Sequence, residues 1–279
     1  MSFLLIFVSS LLAVVQSAIA KLASNGTRTP GTLSFNFCKM GGAFLFFALI
    51  SIWNFKWHTE TFVYACVYGV FQLLSTVFGY IALTKGPMAI TSLICSYNLI
   101  IPCIYGVAFL DEKVGILRLT GFVMLAVSML LLRRKDKTVV FKKHWALFTG
   151  GTFLCNGLNS VILKMHQTAN PGKYCTEFIC IALFVGFLVM FFSTVAAKQK
   201  PKLFELKFSV PSGIMMGGAN FLSLYLSARI SATVLFPLTT VFSVCINCIL
   251  SKIMFKDKFT ILQIIGIVLG VLSVIFIKG

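Results

Sequence analysis

Acidic side chains are scarce in this chain: seven Asp and Glu stand among 279 residues, against 24 Lys and Arg. Charge of either sign is also scarce, at 11% of residues where a water-soluble domain carries about a quarter. That excludes a water-facing surface over most of the protein. Histidine occurs three times, as His58, His144 and His166, each near the end of an apolar run and too scattered for a metal site. No Ser/His/Asp set, glycine-rich phosphate loop or spaced Cys/His ligand cluster is present, so neither an enzyme nor a cofactor or metal is expected. Strict apolar/polar alternation is missing too, which excludes an outer-membrane barrel.

What the chain has in quantity is apolar sequence: 58% of residues are hydrophobic and the mean hydropathy is +0.97. The apolar runs cover about 3–20, 33–53, 61–84, 87–110, 114–132, 145–166, 172–196, 208–228, 230–254 and 259–277. A helix that crosses a bilayer needs roughly 20 apolar residues, so ten such runs take most of the chain and leave short connections. The expected fold is all-α and integral to the membrane, with ten transmembrane helices. Ala18-Ile19-Ala20 resembles a signal cleavage site, but no Lys or Arg precedes the first run and a later segment echoes it. It is read as a retained span. Trp53, Trp57 and Trp145 fall at span ends, as an aromatic belt requires.

The nine cysteines lie almost all inside apolar runs. Cys245 and Cys248 form a CxxC on one helix without a second pair, so small packed thiols are the reading. The net charge of +17 comes from cations between spans, where they face water and lipid phosphates. Nucleic acid is therefore not an expected partner, and membrane lipid is.

A shift of 145 positions lays Tyr80–Arg133 on Tyr225–Lys278 without a gap. Lys113 then meets Lys258, Gly121 meets Gly266 and Tyr80 meets Tyr225. The first span echoes the sixth, with Gln16-Ser17 and Lys21 matching Asn159-Ser160 and Lys164. Two five-helix repeats are expected, 1–133 and 145–279, joined by a basic linker over 134–144. Five is odd, so the second repeat enters the membrane inverted, the plan of many secondary transporters. Sixteen of the 24 cations collect at one set of span ends and seven at the other, with Lys39 alone in mid-span. By the positive-inside rule the odd-numbered loops are cytoplasmic and both termini outside.

The segments Tyr80–Leu132 and Tyr225–Ile277 resemble the second part of an EamA-type repeat of the drug/metabolite transporter superfamily. The likeness rests on a short helix pair, Pro102 and Pro237 in the fourth and ninth spans, the acid-Lys steps Glu112-Lys113 and Asp257-Lys258, and a glycine-containing last helix. Lys39 sits where that family often has an arginine. The prolines lie ten positions off the 145 register, so helix breaks are expected to differ between the repeats. The resemblance implies a central cavity between the halves, lined by helices 1, 3, 4, 6, 8 and 9. It also implies cytoplasmic termini, opposite to the charge count.

Polar groups facing lipid cost free energy and should turn inward. Candidate substrate contacts are Gln16, Lys39, Gln72, Tyr80, Asn98, Asn156, Asn159, Asn220 and Tyr225. The bland alternative is that each holds helix to helix, at roughly 0.6–2 kcal/mol apiece. Gln16 with Asn159 and Tyr80 with Tyr225 are favoured, since repeat mates meet at a repeat interface. Glu112 and Asp257 are expected to stabilise the starts of the fifth and tenth helices. Of the acids only Glu177 can be counted within a span, and it sits near the Pro171-Gly172 end, so the chain lacks the embedded carboxylate that a proton-coupled exporter of lipophilic cations needs. The expectation is a secondary transporter of a small neutral, zwitterionic or anionic metabolite, working by alternating access. A flippase for lipid-linked substrates or a multidrug exporter on the same fold is the alternative. A bacterial cytoplasmic membrane is the expected location, and a homodimer is left open.

Overall fold

The computed structural model describes residues 2–24, 32–51, 55–85, 94–95, 97–112, 114–131, 143–199, 203–255 and 260–278. Every regular element among them is helical. In an apolar solvent each backbone N–H and C=O must be satisfied within its own segment, which a helix achieves. The helices are α1 (Ser2–Ser24), α2 (Thr32–Ser51), α3 (Thr59–Lys85), α4 (Ile100–Phe109), α5 (Ile116–Leu131), α6 (Lys143–Ala169), α7 (Cys175–Ala196), α8 (Leu203–Ser227), α9 (Ala232–Phe255) and α10 (Ile261–Lys278). Each falls on one of the ten apolar runs. Four stretches, Leu33–Ser51, Thr59–Gly79, His144–Ala169 and Cys175–Ala196, are long and apolar enough to cross a membrane. The outer faces suit lipid: Ile116 and Ile261 are 84% and 77% exposed, in company with many other large apolar side chains.

The fourth and ninth helices differ, as the offset prolines predict. A 3-10 turn over Tyr97–Leu99 leads into the ten-residue α4, with Pro102 in its first turn, where a missing N–H costs nothing. Pro237 instead lies inside the continuous 24-residue α9. The basic linker over 134–142, Asp257 and Lys258 lie outside the described residues.

The chain forms two compact units that do not coincide with the two expected repeats: residues 1–70 with 166–229, and 71–165 with 230–279. In the first, α8 packs on both α1 and α2, and α7 packs on α2. Ser9 Oγ donates to the Ala219 carbonyl (3.1 Å) and lies 3.1 Å from Ser223 Oγ, while Ser212 Oγ donates to the Gln16 carbonyl (3.1 Å). Residue numbers rise on one helix as they fall on the other, so α1 and α8 run antiparallel. Phe37 and Phe44 of α2 stack among Phe184, Phe187 and Phe191 of α7. Glycines permit the close approach. A methyl at Gly42 would press on Val210, one at Gly217 on the Phe47 ring, and one at Gly213 would overlap the Lys39 carbonyl oxygen.

In the second unit α5 packs along α10, with Ser128 Oγ donating to the Gly266 carbonyl at 2.6 Å. A methyl at Gly121 would run into the Ile277 backbone. α9 packs against α4 and α10.

Candidate functional site

Amides and hydroxyls in the middle of α3 and α6 meet each other in the second unit. Asn159 Nδ2 donates to Gln72 Oε1 (3.2 Å), and the Ser75 hydroxyl donates to Asn156 Oδ1. One turn further on, a methyl at Gly79 would touch Thr152. Gln72, Ser75 and Gly79 ascend α3 at helical spacing while Asn159, Asn156 and Thr152 descend α6, which makes an antiparallel polar seam. Asn159 is buried; Gln72 and Asn156 keep partial exposure. Three of the sequence candidates are thereby brought together. All three are uncharged side chains that can both donate and accept hydrogen bonds.

The first unit holds Gln16, Lys39, Asn220 and Tyr225. Gln16 Oε1 is buried and has no hydrogen-bond partner among the described residues. Lys39, the eighth residue of α2, makes no side-chain hydrogen bond or ion pair among the described residues. A lysine at a helix centre costs about 2.5–3.5 kcal/mol on insertion scales unless water or an anion reaches it. Asn220, on α8, is half-buried. The Arg229 guanidinium covers the Tyr225 ring at 4.3 Å, so that phenol is tied to a surface cation. Asn98 lies half-buried in the 3-10 turn before α4. The side chain of Tyr80 lies outside the described residues.

Glu112 corrects the sequence reading. It was expected to stabilise the start of the fifth helix, but its carboxylate reaches the start of α9. Oε1 accepts the Ala232 N–H (2.7 Å), and Oε2 accepts the Thr233 N–H (2.9 Å) and hydroxyl (2.8 Å). Lys164 Nζ stands 3.9 Å from Glu112 Oε1 and donates to the Ile230 carbonyl at 2.8 Å. An anion at a helix N-terminus satisfies N–H groups that the helix itself leaves open. The partners are 120 positions apart in the chain, beyond the reach of local signals.

A second polar group ties the α6–α7 turn to the start of α3. Gln167 Oε1 accepts the Gly172 N–H (2.9 Å) and its Nε2 donates to the Lys173 carbonyl (3.3 Å), which fixes the amide orientation. His166 Nδ1, 3.0 Å from that Nε2, is therefore an acceptor. His166 Nε2–H then donates to Thr61 Oγ1 (3.0 Å), and the Thr61 hydroxyl donates to His58 Nδ1 (3.2 Å). His58 stacks on Tyr174 at 4.6 Å. Two histidines that look unrelated in sequence thus share one threonine. Nearby, Glu177 Oε1 accepts the Lys56 backbone N–H (3.3 Å), at the start of α7 where the sequence placed it. No group of three or more His, Cys, Asp or Glu among the described residues is placed to hold a metal.

No family model matches this chain, and no curated protein matches it. Twenty-nine chains of solved structures do. One, a crystal structure of a protein, superposes with a TM-score of 0.74 over 99% of this chain and 98% of that one, at 16% identity. A likeness at that identity carries the fold alone.

Proposed function

We propose that this chain is a secondary membrane carrier of a small polar metabolite, built as two inverted five-helix repeats of the EamA type and working by alternating access. The observation that carries the reading is the α3–α6 seam, where Gln72, Ser75, Asn156 and Asn159 face one another in mid-helix inside an apolar chain. Uncharged groups at that depth suit a solute that must bind and then leave.

The pairings within the two units support the inverted repeat. Moving five helices along the chain turns the antiparallel pair α1·α8 into α6·α3, and turns α2·α7 and α5·α10 into themselves. The residues follow: Ser9 against Ser223 in one pair answers to Thr152 against the neighbourhood of Gly79 in the other. Topology has separate support. In the first unit the 55–58 connection lies beside 170–174, and in the second Glu112 lies beside Ala232. In each unit these are connections from the cation-poor set of span ends, as a chain alternating across the membrane requires.

Flux into liposomes tests the proposal. Purified protein is expected to exchange at least one solute from a panel of amino acids, nucleosides, sugar phosphates and quaternary amines, above protein-free vesicles. Gln72→Leu with Asn159→Leu should lower that flux about tenfold or more while the protein stays folded. Flux confined to quaternary amines, or to a lipid reporter, would replace this reading with an exporter or a flippase.

A further inference from the structure

Gln16 and Lys39 are keyed to the same level of the first unit by consecutive residues of α8. Ser212 Oγ holds the Gln16 carbonyl, and Gly213 abuts the Lys39 carbonyl. Both residues also keep uncommitted polar capacity in their side chains. Among the described residues Lys39 offers a cation with no side-chain hydrogen bond or ion pair, and Gln16 Oε1 is an acceptor buried without a donor. The acids of this unit are engaged elsewhere or begin helices: Glu177 takes the Lys56 N–H, Glu205 is buried in the first turn of α8, and Glu60 starts α3. α1 and α2 contain none.

The second unit explains why this pair stands open. Under the repeat, Gln16 answers to Asn159, and Gln72 answers to Gly217. Asn159 spends its amide on Gln72, whereas Gly217 has no side chain to offer, and the Phe47 ring lies against it. Lys39 answers to Phe184, which packs on Phe44. At these matched positions, among the described residues, the first repeat carries the cation and the unpartnered acceptor, and the second carries neither.

From this we infer that Lys39 and Gln16 form an anion-recognition site for a small organic acid that also bears a hydroxyl or amino donor. The carboxylate or phosphate takes the ammonium of Lys39, and the donor satisfies Gln16 Oε1. This deepens the carrier reading by naming its substrate class, and it rests on that reading for its role in transport. An anionic lipid headgroup could offer the same acid group to Lys39, so the test separates the two sources.

The test is thermal unfolding of the purified full chain in neutral detergent, with lactate against propionate, and glycerol 3-phosphate against methyl phosphate. Each hydroxylated acid is expected to raise the melting temperature more than its partner, because binding to the folded state alone stabilises it. Lys39→Gln should weaken the apparent affinity for all four about tenfold or more, and Lys39→Arg should retain most of it. Gln16→Leu should erase only the advantage of the hydroxylated acids. Unchanged shifts in Lys39→Gln, or stabilisation by phosphatidylglycerol but by none of the soluble acids, would overturn the assignment. If Lys39→Gln itself melts far below the parent, the parent and Gln16→Leu decide the matter through the paired acids. A protein that binds these acids yet moves nothing in liposomes loses the carrier reading and keeps this site. One that carries solutes with no acid preference keeps the carrier and loses the site.

Discussion

Exchange of Glu112 for Gln is expected to destabilise the detergent-solubilised protein by about 2–5 kcal/mol, read from its unfolding midpoint. The carboxylate accepts three hydrogen bonds from Ala232 and Thr233 at the start of α9. A carboxamide keeps one acceptor and turns an NH2 on the other donors. It also leaves the Lys164 ammonium, whose side chain is 11% exposed, without its counter-charge. Removing one member of such a pair costs more than the pair contributes, since the survivor stays desolvated. Lys164→Met in the Glu112→Gln background should therefore recover part of the loss, and the double-mutant cycle gives the coupling. A Glu112→Gln protein that melts within about 0.5 kcal/mol of the parent would show that the start of α9 needs no anion.

The second large effect falls on Gly213. A methyl there overlaps the Lys39 carbonyl oxygen, which is backbone and has no rotamer to yield. α2 and α8 must separate, or Gly213→Ala must strain its helix, at about 1–3 kcal/mol. Gly150→Ala is the control. Nothing lies within 4 Å of the added methyl, and alanine is the better helix former by roughly 0.5–1 kcal/mol. The two identical exchanges should move the unfolding midpoint in opposite directions. Equal effects would mean that α2 and α8 are not in contact at Lys39.

The all-helical class and the place of each helix were legible because a bilayer imposes a length: an apolar stretch of about 20 residues admits few other structures. Pro102 and Pro237 likewise announced the difference between α4 and α9, since proline acts on its own turn. Which helices touch was not legible. Gln72 and Asn159 stood out one by one as amides inside apolar runs, but nothing local joins residues 87 positions apart. For the same reason Glu112 was placed on the helix next to it in sequence, and nothing local links His58 to His166 through Thr61. Gln16 was chosen for its likeness to Asn159, and the two differ in bonding: among the described residues the Asn159 amide is paired, and the Gln16 oxygen has no partner.

In the proposed carrier the middle of the helices borders water from one side of the membrane and then from the other. Asn156 stands at the midpoint of the 27-residue α6 and keeps partial exposure. With the native cysteines replaced, Asn156→Cys in sealed, oriented vesicles should react with a membrane-impermeant maleimide added from either face. A thiol that stays unreactive from both faces, in protein that is folded and inserted, would contradict the account.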